Sequence, residues 1–435
     1  MSTRKKSSQT TPPASVKTQK KPLLLVLSIS LLAAATLYQN ALAYSPQLLY
    51  DDVWKLINAR FVNENKNGQD WRIWRHRFDE VIEDEADAKI AIDTMLASLN
   101  DRYTRFLDKE EFAEEGRSIK ATLYGIGIQI GIRDAKLVVI SPIDDTPADK
   151  AGLMANDEIL EIDGKNTKGL SVKESANLIR GKKGTKVTLL IKREDKKPKP
   201  YKITRDEIKL KSVSDKPPFG TKVPKQMGYI KLSTFLSTNA AKELKAAIEA
   251  KNTKQGYIID LRSNPGGLLS NAIRIADYFL ESGYIVSTVD RDGYKDVRHS
   301  RSSVLTDKPI VLLINGGSAS ASEILSGALK DSHRAILVGE RTFGKGLVQE
   351  INQLPGGAGV NITTQRYLTP NDTDINKKGI KPHIVVKMTE KEVKARKDIQ
   401  LMKSIAIMQE MIGGKSVNDI LKGTLSNLPD QSAAS

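Results

Sequence analysis

The spacing of apolar residues changes repeatedly along this chain, and each change predicts a different kind of element. "LLLVLSISLLAAATL" (23–37) is continuously apolar and follows 21 polar, basic, acid-free residues. Its fifteen residues fall short of the roughly twenty that cross a bilayer as a helix. "ALA" at 41–43 supplies the small-x-small pattern of a signal-peptidase site. Residues 1–43 are therefore expected to be a signal peptide or an N-terminal membrane anchor, with the rest of the chain exported. From 44 to 120 apolar residues return every three or four positions, as in "DDVWKLINARF" and "DAKIAIDTMLASL", which predicts helices. From 121 to 195 short β-branched runs alternate with turns ("YGIGIQI", "KLVVISPI", "DEILEIDG", "KVTLLIKRE"), which predicts a small β-rich unit.

A connector rich in proline and lysine, "SDKPPFGTKVPKQ" (214–226), precedes a long alternation of strand and helix patterns. "MGYIKLSTF", "GYIIDLR", "PIVLLIN", "RAILVGE" and "GVNITTQRYLTP" read as strands, while "NAAKELKAAIEAK" and "SNAIRIADYFLE" read as helices. This order predicts an α/β core of mixed sheet and helices over 196–388. A charged helix near 389–412 and a polar tail fill 389–435. The fold class expected is thus multidomain α+β.

Composition narrows the chemistry. With 435 residues, the chain is long enough for about three domains. It has no cysteine, which excludes disulfides, thiolate nucleophiles and cysteine-ligated zinc. Its four histidines, His76, His299, His333 and His383, are scattered without metal-ligand spacing, so no metal is expected. The formal charge is +16, but six of the basic residues precede position 22 and the rest are interleaved with carboxylates. With only eight Phe and three Trp available for base stacking, a solvated basic surface is expected and nucleic acid is not.

Several short stretches could carry chemistry. In "GGSASASEILSGALKD" (316–331) a serine-rich loop runs into a helix. Ser320 and Glu323 fit the S-x-x-E capping box, in which the serine satisfies orphan amides. The same position places the Ser320 hydroxyl beside the free amides of a helix start, where the Ala321 N–H could face an oxyanion. A serine nucleophile needs a base. His333 in "KDSHRA" has the pattern of an exposed residue. Lys345 in "GERTFGKGLVQ" is either a glycine-flanked turn lysine or a base whose ammonium burial destabilises. Gln349 meets Lys345 if the stretch winds helically and lies ~13 Å away if it is extended. "DLRSNPGGLL" (260–269) places two glycines between a strand and a helix, making Gly266 a second candidate oxyanion donor. In "LYGIGIQI" the residues Tyr124, Gly125, Ile126, Gly127 and Ile128 form either a hairpin or a loop and sheet edge that capture a terminal carboxylate and its backbone.

Taken together and in order, these stretches resemble a known family. "GIGI" through "AGLMANDEILEIDG" and "ANLIRGKKGTKVTLLIKR" resembles a PDZ domain. "GYIKLSTF", "IIDLRSNPGGLL", "GSASASEILSGALKD" and "GERTFGKGLVQ" are similar to the carboxyl-terminal processing, or tail-specific, serine peptidases. The resemblance covers roughly 46–390. It implies a Ser/Lys dyad of Ser320 and Lys345 assisted by Gln349, with an oxyanion hole from Gly266 and Ala321. It also implies a PDZ domain over 121–195 that receives the substrate's C-terminus at 124–128, and no cofactor. The partners implied are proteins with exposed C-termini, in a periplasm, a thylakoid lumen or at the outer face of a membrane. Membrane association would run through the N-terminal segment, and the sequence carries no expectation for oligomeric state. Two departures from the family pattern are Asp372, where glycine is frequent, and His383, where aspartate is frequent. Two other readings compete: a non-catalytic exported PDZ chaperone or scaffold with a degenerate core, and a hydrolase based on His333.

Overall fold

The computed structural model describes residues 45–426 apart from 120, 121, 134, 144, 145, 155, 194, 195 and 210. The leader expected over 1–43 lies outside the described residues. The centre of the molecule is a six-stranded sheet in the spatial order 213–214, 227–232, 256–260, 310–314, 336–339, 384–385, with all pairs parallel except the first. Strands Gly256–Asp260, Ile310–Ile314 and Ile336–Gly339 are buried at every position. That is why they read as unbroken apolar runs instead of alternating ones.

Helices cover both faces. Helices Ala240–Glu249, Leu269–Asp277 and Ala321–Asp331 seal one face through Leu244, Ile248, Ile275, Leu325 and Leu329. The other face is sealed by Ile399–Ile412, whose Leu401, Ile407, Met408 and Met411 pack on Tyr229, Ile258, Val311 and Val338. The single charged helix expected near 389–412 is therefore two: a short one at Glu390–Lys394 and this core helix. The "polar tail" begins with a further helix, Val417–Ser426, whose Ile420 joins the same core.

A second sheet, absent from the sequence reading, is antiparallel: 105–107, 359–368, 284–289, 295–299, with 347–353 also paired to 359–368. It joins the N-terminal region to the core. Leu49, Trp54, Ile57, Ile92 and Met95 of helices Pro46–Arg60 and Glu85–Ala97 share one buried cluster with Leu354, Val360 and Ile362. The expected helices are present, but their apolar faces close on residues that lie more than 250 positions later.

The β-rich unit forms its own sheet, ordered 128–133, 136–142, 158–162, 186–192, 199–204. Helix Val172–Ile179, opened by a Ser171/Glu174 capping box, packs on it, and the unit has a separate core that includes Ile126, Val139, Ile159, Val187 and Leu189. An antiparallel ribbon of 122–125 with 206–209 connects it to the rest.

One buried ionic cluster fixes how the late helix meets the central sheet. Arg262, 9% exposed, donates to both oxygens of Asp260 and both oxygens of Asp398, at 2.6–3.1 Å. Burial works against its charge, but the two carboxylates hold its proton affinity above the ordinary arginine value. Replacing Asp398 with alanine leaves the guanidinium with Asp260 and the Gln400 amide oxygen alone in a dry site, so about 3 kcal/mol of stability should be lost. Denaturant unfolding measures this, and the isosteric Asp398→Asn should lose less.

Candidate active site

Three loops at the carboxyl ends of the central strands converge on Ser320. The first follows strand 256–260 and carries Asn264, Gly266 and Gly267. The second follows 310–314 and leads into helix Ala321–Asp331. The third follows 336–339 and carries Lys345. Parallel sheets place their binding loops at this edge because the crossover helices begin there.

The alternating serines of the second loop do different work. Ser318, fully buried, donates to the Leu261 carbonyl at 2.8 Å and accepts the Asn315 N–H at 3.0 Å. Ser322, also buried, donates to the Asn264 carbonyl at 2.9 Å. Both stitch the second loop to the first. Ser320 lies between them, half-buried, with its backbone at φ 54°, ψ −115°. This is left-handed territory that favours glycine, and holding a serine there costs roughly 1–3 kcal/mol. Such strain persists only where surrounding bonds dictate it. Here the Glu323 carboxylate accepts the Ser320 N–H at 2.8 Å, the Glu323 N–H donates to the Ser320 carbonyl at 2.7 Å, and the Tyr367 hydroxyl donates to that carbonyl at 3.1 Å. Glu323 thus makes the carboxylate half of the capping box, and the bend of the loop lets Ser320 also line a cavity.

That cavity, about 410 Å³, is walled by Ser320, Lys345, Gln349, Gly266, Tyr103 and Tyr367 among others. Lys345 is brought there by its neighbours. A Cβ on Gly346 would lie 2.7 Å from the Asn376 nitrogen, and one on Gly344, at φ 90°, 3.0 Å from the Lys378 and Gly379 nitrogens. The flanking glycines let the loop slide against 376–379. The amides of Gly344 and Lys345 both donate to Glu323, at 2.7 and 2.8 Å. Burial lowers the proton affinity of the Lys345 amine below the ordinary lysine value; Asp101 and Glu115 oppose this, and Arg102 reinforces it.

Gln349 does not follow Lys345 on a helical turn. It lies on strand Leu347–Gln353, with a bulge between Val348 and Gln349, and its side chain donates to Thr363 Oγ1 at 3.3 Å while facing the shared cavity. Glycine freedom in the sequence allowed a turn; pairing with 359–368 chose the strand.

Gly266, at φ 98°, packs directly beneath the loop that carries Ser320. A Cβ there would stand 2.5 Å from the Ala319 carbonyl and 2.9 Å from Ser320 Cβ. Its N–H, however, donates to Asn264 Oδ1 at 2.9 Å and so is turned toward its own loop. The Ala321 N–H is one of the helix's first amides, for which the helix itself offers no acceptor.

His333 caps the far end of the same helix, exposed, ~20 Å along the axis from Ser320. It lines no wall of the cavity. Asp372, at φ 56°, takes the backbone conformation for which glycine is the usual choice and pairs with Lys295. His383 is half-buried and accepts the Leu337 N–H at 3.0 Å; burial depresses it to about 4, which keeps it neutral.

The sequence reading missed Arg102, Tyr103, Arg105 and Glu115, all on the cavity wall and all from the N-terminal helical region. For the first three the only signal was the short conspicuous run "NDRYTRFLDKEEF" (100–112), and Glu115 lies just beyond it; their place in the site depends on contacts with residues far away in sequence.

Residues 124–128 gather at a second, smaller cavity of about 100 Å³, closed by Ala176, Ile179 and Arg180 of helix Val172–Ile179 and its C-cap. Gly127, at φ 80°, lies so close to Thr146 that a Cβ would fall 2.4 Å from it. The groove between strand start and helix is lined by the apolar Ile126, Ile128 and Ile130, with the Arg180 guanidinium at its rim.

Comparison with known proteins agrees with this layout. The chain matches Peptidase family S41 over 226–386 and a PDZ domain over 125–200. It is 38% identical over 396 residues to the carboxyl-terminal-processing protease of Synechocystis sp., covering 88% of this chain and 92% of that one. It is 35% identical over 376 residues to carboxyl-terminal-processing peptidase 2, chloroplastic, of Arabidopsis thaliana, covering 83% and 72%. Among solved structures it is similar to a photosystem II D1 C-terminal processing protease, with 32% identity, a TM-score of 0.54, and coverage of 79% and 94%. Similarity at this level over nearly the whole length places the chain in a family: it is a carboxyl-terminal-processing serine peptidase of family S41, with a PDZ domain inserted ahead of the catalytic core.

Proposed function

We propose that the chain is an exported serine endopeptidase that cuts proteins near their C-termini with a Ser320/Lys345 dyad. The observation that carries this reading is the meeting of the two side chains on one cavity, the serine on a strained helix start and the lysine partly buried without an ion pair among the described residues. A neutral Lys345 amine takes the Ser320 proton as Oγ attacks the scissile carbonyl. The oxyanion that forms is met by the Ala321 N–H at the positive end of the helix. Gly266 would join as a donor once its N–H leaves Asn264 Oδ1. The protonated lysine then delivers its proton to the leaving amine, and water releases the acyl group. Gln349, paired with Thr363, shapes the wall beside the base.

The groove at Tyr124, Gly125, Ile126, Gly127 and Ile128 is read as the seat of the substrate's C-terminus. Its apolar wall suits an apolar last side chain, and the position of strand 128–133 at the end of its sheet suits backbone pairing. No helix among the described residues is long and apolar enough to cross a membrane. The export reading rests on the basic and apolar leader pattern of 1–43 and on relatives in a cyanobacterium and in chloroplasts.

Ser320→Ala and Lys345→Ala should each reduce turnover of a denatured protein substrate by roughly 10²–10⁴-fold or more, with folding unchanged by circular dichroism; undiminished cleavage by either would remove the dyad. Because burial lowers the Lys345 proton affinity, the fraction of neutral base grows as pH rises, and kcat should climb along a limb centred below the ordinary lysine value of 10.5. Ala176→Trp, which fills the small groove, should raise KM about tenfold for substrates with free apolar C-termini. It should have little effect on the same substrates amidated at the C-terminus, a contrast read by initial rates.

A further inference from the structure

A lysine drawn out of water usually pairs with a carboxylate, and Lys345 does not. The partner of its ammonium is an aromatic face: Lys345 Nζ lies 4.5 Å from the centroid of the Tyr103 ring. The ring is firmly held. The Tyr103 N–H donates to Asp101 Oδ1 at 3.1 Å, Thr104 Oγ1 donates to Asp101 Oδ2 at 2.7 Å, and Thr104 Oγ1 accepts the Thr363 N–H at 3.1 Å. Arg102 donates to the Tyr103 hydroxyl at 2.7 Å, and its guanidinium carbon lies 4.9 Å from that ring and 5.2 Å from the ring of Phe343, two residues before the lysine. Arg102 therefore ties the tyrosine to the loop that carries the base. Tyr103 and Arg102 also stand between the dyad cavity and a third cavity, of about 650 Å³, whose wall includes Asn63, Asn100 and Asn376.

We propose that Tyr103 is the positioning residue of the general base, its ring face holding the Lys345 amine at the cavity wall in place of a carboxylate. This rests on the dyad reading. A ring quadrupole attracts an ammonium far less than a carboxylate does in a dry site, so the side chain is directed without being locked in its charged form. Once the proton leaves, the attraction fades and the amine is free to turn to Ser320. The N-terminal helical region thereby supplies a working part of the site from 242 residues before the lysine. The charged groups around this amine are Asp101 and Arg102 on the tyrosine's loop, Arg105 on the adjoining strand, Glu115 on helix Lys109–Ile119, and Glu323 behind the lysine's own amide.

The test uses the full chain with Tyr103→Phe, Tyr103→Leu and Arg102→Gln, each in the active protein and in a Ser320→Ala background. Two quantities are read: kcat and KM across pH, and the pH midpoint of Lys345 acetylation by acetic anhydride, followed by mass spectrometry of its peptide. Tyr103→Phe keeps the ring and should stay within about threefold of the parent kcat. Tyr103→Leu should lose about tenfold or more in kcat with KM nearly unchanged, and its acetylation midpoint should fall by about half a unit or more as the ammonium loses the ring. Arg102→Gln removes a neighbouring positive charge and should move the midpoint the other way. An unmoved midpoint in Tyr103→Leu, a loss confined to KM, or equal losses in the Phe and Leu variants would overturn the proposal. The acetylation arm needs no turnover, so it reports on the tyrosine and lysine contact even if Lys345→Ala shows the dyad itself to be wrong.

Discussion

Glu323 is a carboxylate with no exposed surface, and it accepts four hydrogen bonds: from the Ser320, Gly344 and Lys345 amides and from the Thr342 hydroxyl, at 2.5–2.8 Å. A buried carboxylate is tolerated only when its lone pairs are taken up, and a buried amide only when it has an acceptor. Each requirement here satisfies the other. The consequence is geometric, because one side chain binds the backbone of Ser320 to the backbone of Lys345 twenty-five residues away. The strained φ of Ser320 is one product of that tie. Thr342 carries it further, since its hydroxyl also accepts the Ile380 N–H at 2.6 Å and so anchors the segment against which Gly344 and Gly346 slide.

Around this tie the site is assembled from segments scattered over most of the chain. Arg102 to Glu115 form one wall, Thr234 to Leu269 a second, Ser320 and Ile324 a third, and Lys345 to Tyr367 the remainder. Parallel strands bring the second, the third and Lys345 to one edge of the central sheet, while Leu347 to Tyr367 come from the antiparallel sheet. The first arrives because strand Arg105–Leu107 pairs with Gly359–Leu368, an exchange of backbone bonds that also closes the helical core of the N-terminal region. The Arg262 cluster has the corresponding role at the opposite face, where Asp398 fastens the last long helix under the loop that bears Asn264 and Gly266.

The serines at 318, 320 and 322 show how one composition serves two ends. Small hydroxyl side chains at alternating positions can each reach a neighbouring backbone group without filling space, which lets two loops approach within hydrogen-bonding distance. The outer two do this, donating to Leu261 and Asn264 carbonyls. The middle one is turned by the bend into the cavity. The Glu323 cap and the nucleophile reading are compatible because Glu323 takes up the Ser320 main-chain N–H and gives its own N–H to the Ser320 carbonyl, both main-chain tasks.

The sequence by itself determined the kinds of element and their order. Unbroken apolar runs became the buried parallel strands, alternating runs the β-rich unit, and three- and four-residue spacing the helices, because these periods follow from backbone geometry alone. It also determined which residues stand at loop positions fit for chemistry: Ser320 at a helix start, Lys345 between glycines, Gly266 after a strand. Tertiary structure decided what those loops face. Periodicity holds no record of a partner 250 residues away, so the antiparallel sheet, the shared N-terminal core and the placing of Tyr103 against Lys345 were invisible locally. The same limit applied to Gln349, whose glycine-rich approach fits turn and strand alike until pairing with Gly359–Leu368 selects the strand. It applied to Gly266, whose amide was free to face either way until Asn264 bound it. Local propensity fixes a segment's conformation only where one backbone state clearly dominates, and at the site it is long-range hydrogen bonding that makes the choice.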